Sequence, residues 1–335
     1  MKAFEIHGHG FGGLKPVQRP SPRPGPREVL VRMRAMALNY RDLEILLGHY
    51  HTPFAHPLVP LSDGVGEVLA VGEGVTRARP GDRVILSFWE RWTDGAFHPA
   101  DAGTQLGGPQ DGVLAEELVA SEDRIVVVPE ALTDAQAASL PCAGTTAWHA
   151  LVSAGGIRPG DTVLVQGTGG VSLFALQIAR MSGARVIASS SSDGKLERAR
   201  GLGACATVNY RRNPAWGEEV RRLTGGRGVD HVLEVGGPGS FAQSLQAIRP
   251  GGQINVIGYL GGTEGLVNPL DIFRRQATVR GIPVGSRRML EDLVAAYAAG
   301  PIRPVVDRVF PWTGAAEALR YLQSGAHFGK IVLAV

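Results

Sequence analysis

The sequence predicts an α/β protein made of a β-rich part and a doubly wound parallel sheet, and three observations carry that reading. Up to about residue 126 the regular segments are strand-like and broken by glycine and proline. From about residue 127 to 286, short runs of β-formers alternate with helix-forming segments, the pattern of a parallel sheet with helical crossovers. Within that region, a strand at 162–165, a glycine turn and a helix-forming segment at 171–180 follow one another directly. In that order they make a phosphate cradle, because a helix N-terminus offers unsatisfied N–H groups and the positive end of its dipole. The 335 residues suffice for about two domains, each with its own core.

Each element has its own justification. The proline-rich stretch 16–26 predicts a loop, since proline punctuates both helix and strand. Residues 28–37 alternate apolar and polar and predict a strand with one buried face. Residues 64–72 predict a second strand with glycines at its bends, and the Pro80-Gly81-Asp82 turn leads into a third. The long irregular stretch 87–111 contains Phe88, Trp89, Trp92 and Phe97, which either line a substrate pocket or pack the loop down. Strands then follow at 163–165, 185–188, 206–209, 229–235 and 253–258, with helices such as 195–202 and 216–223 between them. Residues 274–281 read as a helix end and a strand. The tail predicts helices at 286–299 and 314–324 and a last strand at 330–335.

Composition narrows the function. Lys+Arg 34 against Asp+Glu 31 is spread along the chain without a basic block, which argues against a nucleic-acid partner. The two cysteines, Cys142 and Cys205, exclude a disulfide scaffold and a cysteine-cage zinc, and fit a reducing compartment. The N-terminus lacks the apolar core of a signal peptide, and no run approaches the ~20 apolar residues of a membrane span. A cytoplasmic protein with no membrane partner is expected.

The glycine turn and the next strand together predict the cofactor. Gly167 permits the tight turn, Gly169 leaves backbone open to a ligand, and Thr168, Gly170 and Val171 complete the phosphate-facing loop. Ser172 stands where a third glycine is usual. Binders of unphosphorylated NAD usually carry an acid at the end of the second strand. Here that strand runs into Ser189-Ser190-Ser191-Ser192-Asp193-Gly194-Lys195, with Ser190 at the acid's position. Serine hydroxyls and Lys195 suit a 2′-phosphate, so NADPH is expected. Ser192 or Asp193 capping the next helix is the plainer use of this stretch. Asp193 would reverse the expectation if the loop laid it on the ribose.

With these residues in view, the chain resembles the medium-chain dehydrogenase/reductase superfamily. The likeness lies in Ala37-Leu-Asn-Tyr-Arg-Asp42, Gly64-Val-Gly-Glu-Val-Leu-Ala-Val-Gly72, Pro80-Gly-Asp-Arg-Val84, Gly144-Thr-Thr-Ala-Trp148, the 167–172 turn and Val284-Gly-Ser-Arg287. Within the superfamily it is most similar to the zinc-independent, quinone-oxidoreductase-like branch, which includes zinc-type alcohol dehydrogenase-like proteins. The resemblance implies a GroES-like catalytic domain from residues 1–126 and 287–335, a Rossmann NADP-binding domain at 127–286, and an active site in the cleft. It implies that Thr146 approaches the nicotinamide ribose, that Tyr210 joins Ser190 and Lys195 around the 2′-phosphate, and that Val284, Ser286 and Lys330 close over the nicotinamide half. Val235, Gly236, Gly258 and Tyr259 end the fourth and fifth strands, where open α/β sheets meet ligand.

Catalytic zinc needs three Cys, His or carboxylate ligands and an open fourth position. Zinc-bearing relatives place a cysteine where this chain has Asn39, a His-Glu pair where it has Ser62-Asp63, and their third ligand at Cys142. No metal is therefore expected, and His49, His51 and His56 read as a solvated loop, not a rival metal cluster. What the resemblance implies is an NADPH-dependent oxidoreductase passing hydride to a quinone, an enone or a related small carbonyl compound. Asn39 would donate through its amide, Tyr50 matches a tyrosine that relatives use near the substrate, and Tyr40 competes for that role. Arg41 and Asp42 read as a structural pair at a helix start. An alcohol dehydrogenase acting on a small alcohol or aldehyde and a non-catalytic NADPH-binding protein are the alternatives. A homodimer formed along strand 278–282 is the expected assembly.

Overall fold

A computed structural model describes residues 1–300 and 303–335. The chain forms two compact units, residues 1–145 with 284–335, and residues 146–283. In the first, β1 (Lys2–Ile6) and β2 (Leu14–Gln18) form an antiparallel pair. The expected 16–26 loop thus begins inside a strand. Pro16 lies opposite Phe4 in a two-stranded sheet, an edge position where its missing N–H costs no ladder bond on the outer side. Next come β3 (Glu28–Ala37), α1 (Tyr40–Leu47), β4 (Asp63–Val71), β5 (Arg83–Leu86), β6 (Glu117–Ser121), β7 (Ile125–Val127) and α2 (Asp134–Ala138), and α3 (Thr145–Trp148) leads into the second unit. In β3 the alternation is realised: Val29, Val31 and Met33 are buried while Arg32 and Arg34 are exposed.

The second unit runs β8 (Thr162–Gln166), α4 (Gly170–Met181), β9 (Arg185–Ser190), α5 (Asp193–Gly201), β10 (Ala206–Asn209), α6 (Trp216–Leu223), β11 (Val229–Glu234), α7 (Pro238–Ala247), β12 (Ile248–Val256), α8 (Pro269–Arg275) and β13 (Thr278–Gly281). The tail, α9 (Arg287–Ala299), β14 (Val306–Pro311), α10 (Ala315–Gln323) and β15 (Lys330–Ala334), returns to the first unit. Residues 127–145 also group with the first unit, because α2 packs on β3 and β4, and a π-helical turn, Leu140–Gly144, packs on β4 and α9.

Among the described residues, the first unit's main sheet has the order β14-β15-β3-β4-β5-β7, with β6 also on β3. The second unit's sheet has the order β10-β9-β8-β11-β12-β13, and each of its pairings is parallel. Chain order therefore reverses between β8 and β11, the topological switch point at which such sheets open a crevice beyond their carboxyl ends. Every residue of β8 is buried, as a central parallel strand requires.

At the opposite end of β11, Asp230 is buried and bound by both guanidinium nitrogens of Arg227, at 2.8 and 2.7 Å, by Arg249 Nε at 2.6 Å and by the Thr162 N–H at 2.8 Å. Burial alone would push its carboxyl up, but the two arginines and the Thr162 N–H hold it well below the usual carboxylate range. A depressed folded-state pKa gives stability that is present above the ordinary carboxylate pKa and is lost as pH falls through the folded value. Asp230→Asn is expected to cost about 2 kcal/mol at pH 7, less than for a fully buried pair because both arginines are partly exposed. It should also flatten the acid side of the stability curve in denaturant titrations from pH 2 to 7. An unchanged acid limb would refute the assignment.

Candidate functional site

In the second unit the glycine turn has the geometry of a cradle. Gly167 has φ 74°, and a Cβ built there would meet nothing within 4 Å, so the turn opens onto free space. Gly169 is the N-cap of α4, and no side chain caps the helix, which leaves its first-turn N–H groups to an external acceptor. Thr168 is buried beneath the turn, whereas Gly170 and Val171 are partly exposed in the first helical turn. The departure at Ser172 has a local cause: its hydroxyl donates to the Gln166 carbonyl at 2.6 Å and ties the helix to the strand that precedes it.

Ser190 is buried at the end of β9, and its carbonyl accepts from Tyr210 N–H at 3.2 Å, so these two expected residues come together. Ser192 Oγ accepts from the Lys195 N–H at 3.4 Å, the capping bond the sequence also allowed. Asp193 is occupied elsewhere. Arg212 Nη2 lies 2.6 Å from its carboxylate, and Asn209 Nδ2 donates to it at 2.7 Å. Arg211 and Arg212, both exposed beside Tyr210, went unmarked in the sequence reading. Two consecutive arginines just beyond the third strand of a nucleotide fold were the available signal.

The loops after β11 and β12 interlock. Gly258 N–H donates to the Glu234 carbonyl at 3.3 Å, Leu260 N–H to that of Val235 at 3.1 Å and Gly261 N–H to that of Gly236 at 2.9 Å. Val235, Gly236, Gly258 and Tyr259 are thereby gathered at the carboxyl ends of β11 and β12. Thr146 is buried at the start of the second unit.

In the first unit a hydrogen-bonded chain runs from Lys330 through Asn39 and Ser62 to Asp63, which also takes the Cys142 N–H. Buried Lys330, the first residue of β15, donates from Nζ to the Leu38 carbonyl at 2.7 Å and to Asn39 Oδ1 at 2.6 Å. Asn39 Nδ2 donates to Ser62 Oγ at 3.3 Å, Ser62 donates to Asp63 Oδ1 at 2.8 Å, and Cys142 N–H donates to Asp63 Oδ2 at 3.0 Å. The ammonium lies 3.8 Å from Asp63 Oδ2. An ammonium can only donate, so Lys330 fixes the Asn39 amide with its oxygen inward and its NH2 toward Ser62. The sequence had put Lys330 among the nicotinamide-closing residues; the structure brings its ammonium to Asn39 and Asp63. Asn39 N–H donates to Asp42 Oδ2 at 2.8 Å at the start of α1, and Arg41 Nη1 lies 3.2 Å from Asp42 Oδ1. Burial pushes the Asp42 carboxyl up to about 6 even though Arg41 and the Asn39 N–H pull the other way.

Arg41 anchors the 87–111 loop through the Leu106 and Gly108 carbonyls, at 3.0 and 2.8 Å. Its guanidinium also lies over the Tyr50 ring, 4.8 Å from the centroid, with Nε 3.4 Å from the Tyr50 hydroxyl. Tyr50 therefore joins the neighbourhood of Asn39 through Arg41. Tyr40 is exposed, and among the described residues no hydrogen bond joins it to Asn39, Ser62 or Lys330. Phe88, Trp89 and Trp92 are buried and stack edge-on with each other or with Phe97, so these aromatics chiefly pack the loop. Val284 packs on that cluster with φ 63°, and buried Leu61 precedes Ser62 with φ 72°. For a β-branched valine this is a strained backbone, and such strain gathers at functional sites. Ser286 is buried and caps α9 by accepting from the Met289 N–H.

This architecture, a GroES-like unit and a parallel-sheet Rossmann unit, defines an oxidoreductase, and the chain belongs to the medium-chain dehydrogenase/reductase superfamily. Residues 25–130 match the alcohol dehydrogenase GroES-like domain, and residues 170–299 match the zinc-binding dehydrogenase family. A zinc-type alcohol dehydrogenase-like protein of Schizosaccharomyces pombe is 43% identical, over 97% of this chain and 96% of that protein. The solved structure of an NAD-dependent alcohol dehydrogenase superposes with a TM-score of 0.92 at 38% identity, covering 100% of both chains. A mycobacterial protein solved in complex with NADPH superposes with a TM-score of 0.82 at 28% identity, again over 100% of both.

The family's zinc does not fit the residues here. Asn39 offers a carboxamide whose oxygen is taken by Lys330, and Ser62 offers a hydroxyl already committed to Asp63. Burial, and then the neighbouring Asp63, push the Cys142 thiol up, and Cys142 is left as the one soft donor among these three positions. Among the described residues no group of three His, Cys, Asp or Glu side chains converges to hold a metal. His56 Nδ1 is 3.0 Å from the Ile6 carbonyl and His51 lies against the Tyr50 ring. Among the described residues no helix is long and apolar enough to cross a membrane.

Proposed function

We propose that the protein is an NADPH-dependent, zinc-independent reductase that passes hydride to a quinone, an enone or a related small carbonyl compound. The observation that carries this reading is the Lys330–Asn39–Ser62–Asp63 chain, which holds a carboxamide donor at the position of a metal ligand. An acceptor that gains a hydride develops negative charge on its carbonyl oxygen, and preorganised donors lower that barrier. Asn39 Nδ2 has a second N–H for this purpose beyond the one given to Ser62. The Tyr50 phenol is a candidate proton source, with Arg41 over its ring. NADPH held by its pyrophosphate at the glycine turn would supply the hydride from its reduced nicotinamide.

The choice of NADPH rests on this chain's own residues, since similar structures use either cofactor. Ser190 ends β9 and its carbonyl takes the Tyr210 N–H, Lys195 lies in the first turn of α5, Arg211 and Arg212 add positive charge, and Arg212 and Asn209 hold Asp193. The deciding experiment titrates NADPH and NADH into the purified protein and then follows NADPH oxidation with quinone and enone panels, alongside metal analysis. Acceptor-dependent NADPH oxidation without stoichiometric zinc is expected. Zinc at about one per chain, lost together with activity on chelation, would sink the reading.

An alcohol dehydrogenase is the second reading, favoured by the dehydrogenase relatives. It predicts alcohol-dependent reduction of NADP and no turnover of the acceptor panel. Tight NADPH binding with no turnover of either kind would favour a non-catalytic role. We also propose a homodimer joined along β13, where exposed Leu270, Phe273 and Val279 lie on or beside the open sheet edge. Light scattering reads this directly, and a monomer at micromolar concentration refutes it.

A further inference from the structure

The switch point of the second unit's sheet is closed by one buried carboxylate that no part of the proposed chemistry uses. Glu234 ends β11 with no exposed surface. Its Oε1 accepts from the Gly236 N–H at 2.8 Å, the Gly237 N–H at 3.1 Å and the Ser240 hydroxyl. Its Oε2 accepts from Gln166 Nε2 at 2.7 Å and from the Ser244 hydroxyl. Gln166 ends β8, immediately before the glycine turn, and its Oε1 accepts in return from the Val235 N–H at 3.2 Å. Its backbone carbonyl takes the Ser172 hydroxyl at the start of α4.

Five donors on one carboxylate saturate its acceptor capacity, and a neutral amide has too few acceptors to replace it. The carboxylate and the Gln166 amide form a reciprocal clasp between the two strands at which chain order reverses. The loop beyond β12 hangs from the same segment, through N–H donors from Ile257 and Gly258 to the Glu234 carbonyl. The carboxylate therefore ties the 235–237 loop to Gln166, the residue that leads into the glycine turn, while the backbone of the same residue holds the loop beyond β12.

We propose that Glu234 is a positioning residue for the dinucleotide, holding loops 167–170 and 235–237 in register across the switch point. This rests on the proposed reading of the glycine turn as a cofactor site. A buried carboxylate that merely stabilised the sheet would be expected to affect all ligands of the unit alike. One that positions these loops should matter for the pyrophosphate and nicotinamide half and much less for the adenosine 2′-phosphate end, which β9 and β10 hold.

The test compares Glu234→Gln with wild type by calorimetric titration of NADPH and of adenosine 2′,5′-bisphosphate. The amide turns a donor toward Gln166 Nε2 and breaks the clasp. NADPH should bind about tenfold or more weakly, while the bisphosphate weakens by only about twofold. The exchange Gln166→Glu with Glu234→Gln returns the carboxylate from the other strand and should recover most of the NADPH affinity. If Glu234→Gln does not fold, Ser240→Ala keeps the charge, removes one donor, and should weaken NADPH about threefold with the same selectivity. Unchanged NADPH binding, or equal losses for both ligands without rescue by the exchange, would overturn the proposal. Wild-type protein that binds the bisphosphate but not NADPH, or neither, would instead fail at the cofactor reading and take this proposal with it.

Discussion

A Lys330→Met variant is expected to lose roughly 3–5 kcal/mol of folding free energy at neutral pH, the usual cost of removing one partner of a buried ion pair. The ammonium is almost fully buried and donates to both the Leu38 carbonyl and Asn39 Oδ1, with the buried Asp63 carboxylate 3.8 Å away. Methionine fills much of the same volume but leaves two acceptors and one carboxylate without that partner. The second variant separates charge from packing: adding Asp63→Asn to Lys330→Met removes the stranded carboxylate and should restore a large part of the loss. Turnover in the Lys330→Met protein should also fall by about a hundredfold, since the Asn39 amide is no longer held in one orientation. Chemical denaturation and steady-state kinetics provide the two readouts. A stability change below about 1 kcal/mol would mean that the ammonium is solvated in solution and that the chain does not exist as described.

The second large effect concerns the cofactor. Lys195→Ala should weaken NADPH by about ten- to a hundredfold at low salt and leave NADH within about twofold, because under the proposed NADPH reading the lysine's charge would act on the 2′-phosphate alone. Lys195 is the third residue of α5, whose N-cap Ser192 fixes the direction of that turn. Raising the ionic strength should narrow the gap between wild type and variant. Equal losses for NADPH and NADH would indicate a general role in the fold. A wild-type preference for NADH would mean that Asp193 leaves Arg212 to take the ribose.

Several of these elements were legible without coordinates, and for a physical reason. Strand β8, the glycine turn and α4 are contiguous, and each is specified by local residue type: β-formers, then glycines, then helix formers. The bounds expected for β3 and α6 are those found, because alternation and helix-forming composition are local properties. The serine run at the end of β9 was legible for the same reason. Pro16 was misplaced into a loop because its effect depends on whether a neighbouring strand needs its N–H, which the local sequence does not state. Residues 127–145 were assigned to the wrong neighbour for a related reason: α2 could pack on either unit, and contacts with β3 and β4 decide it.

The sequence by itself determined a parallel α/β unit and the strand–glycine turn–helix succession of β8 and α4 within it, since both follow from residue type at fixed spacing. Only the tertiary structure decided what surrounds Asn39, Ser62 and Asp63. Lys330 and Asn39 are 291 residues apart in sequence and 2.6 Å apart in space, because β15 pairs with β3. Glu234 reads in sequence as one carboxylate at a strand end. It becomes a clasp between two strands only when β11 is laid beside β8 and brings it to Gln166. Burial turned both charged groups from ordinary surface types into groups that must be fully partnered, and burial is set by the fold as a whole.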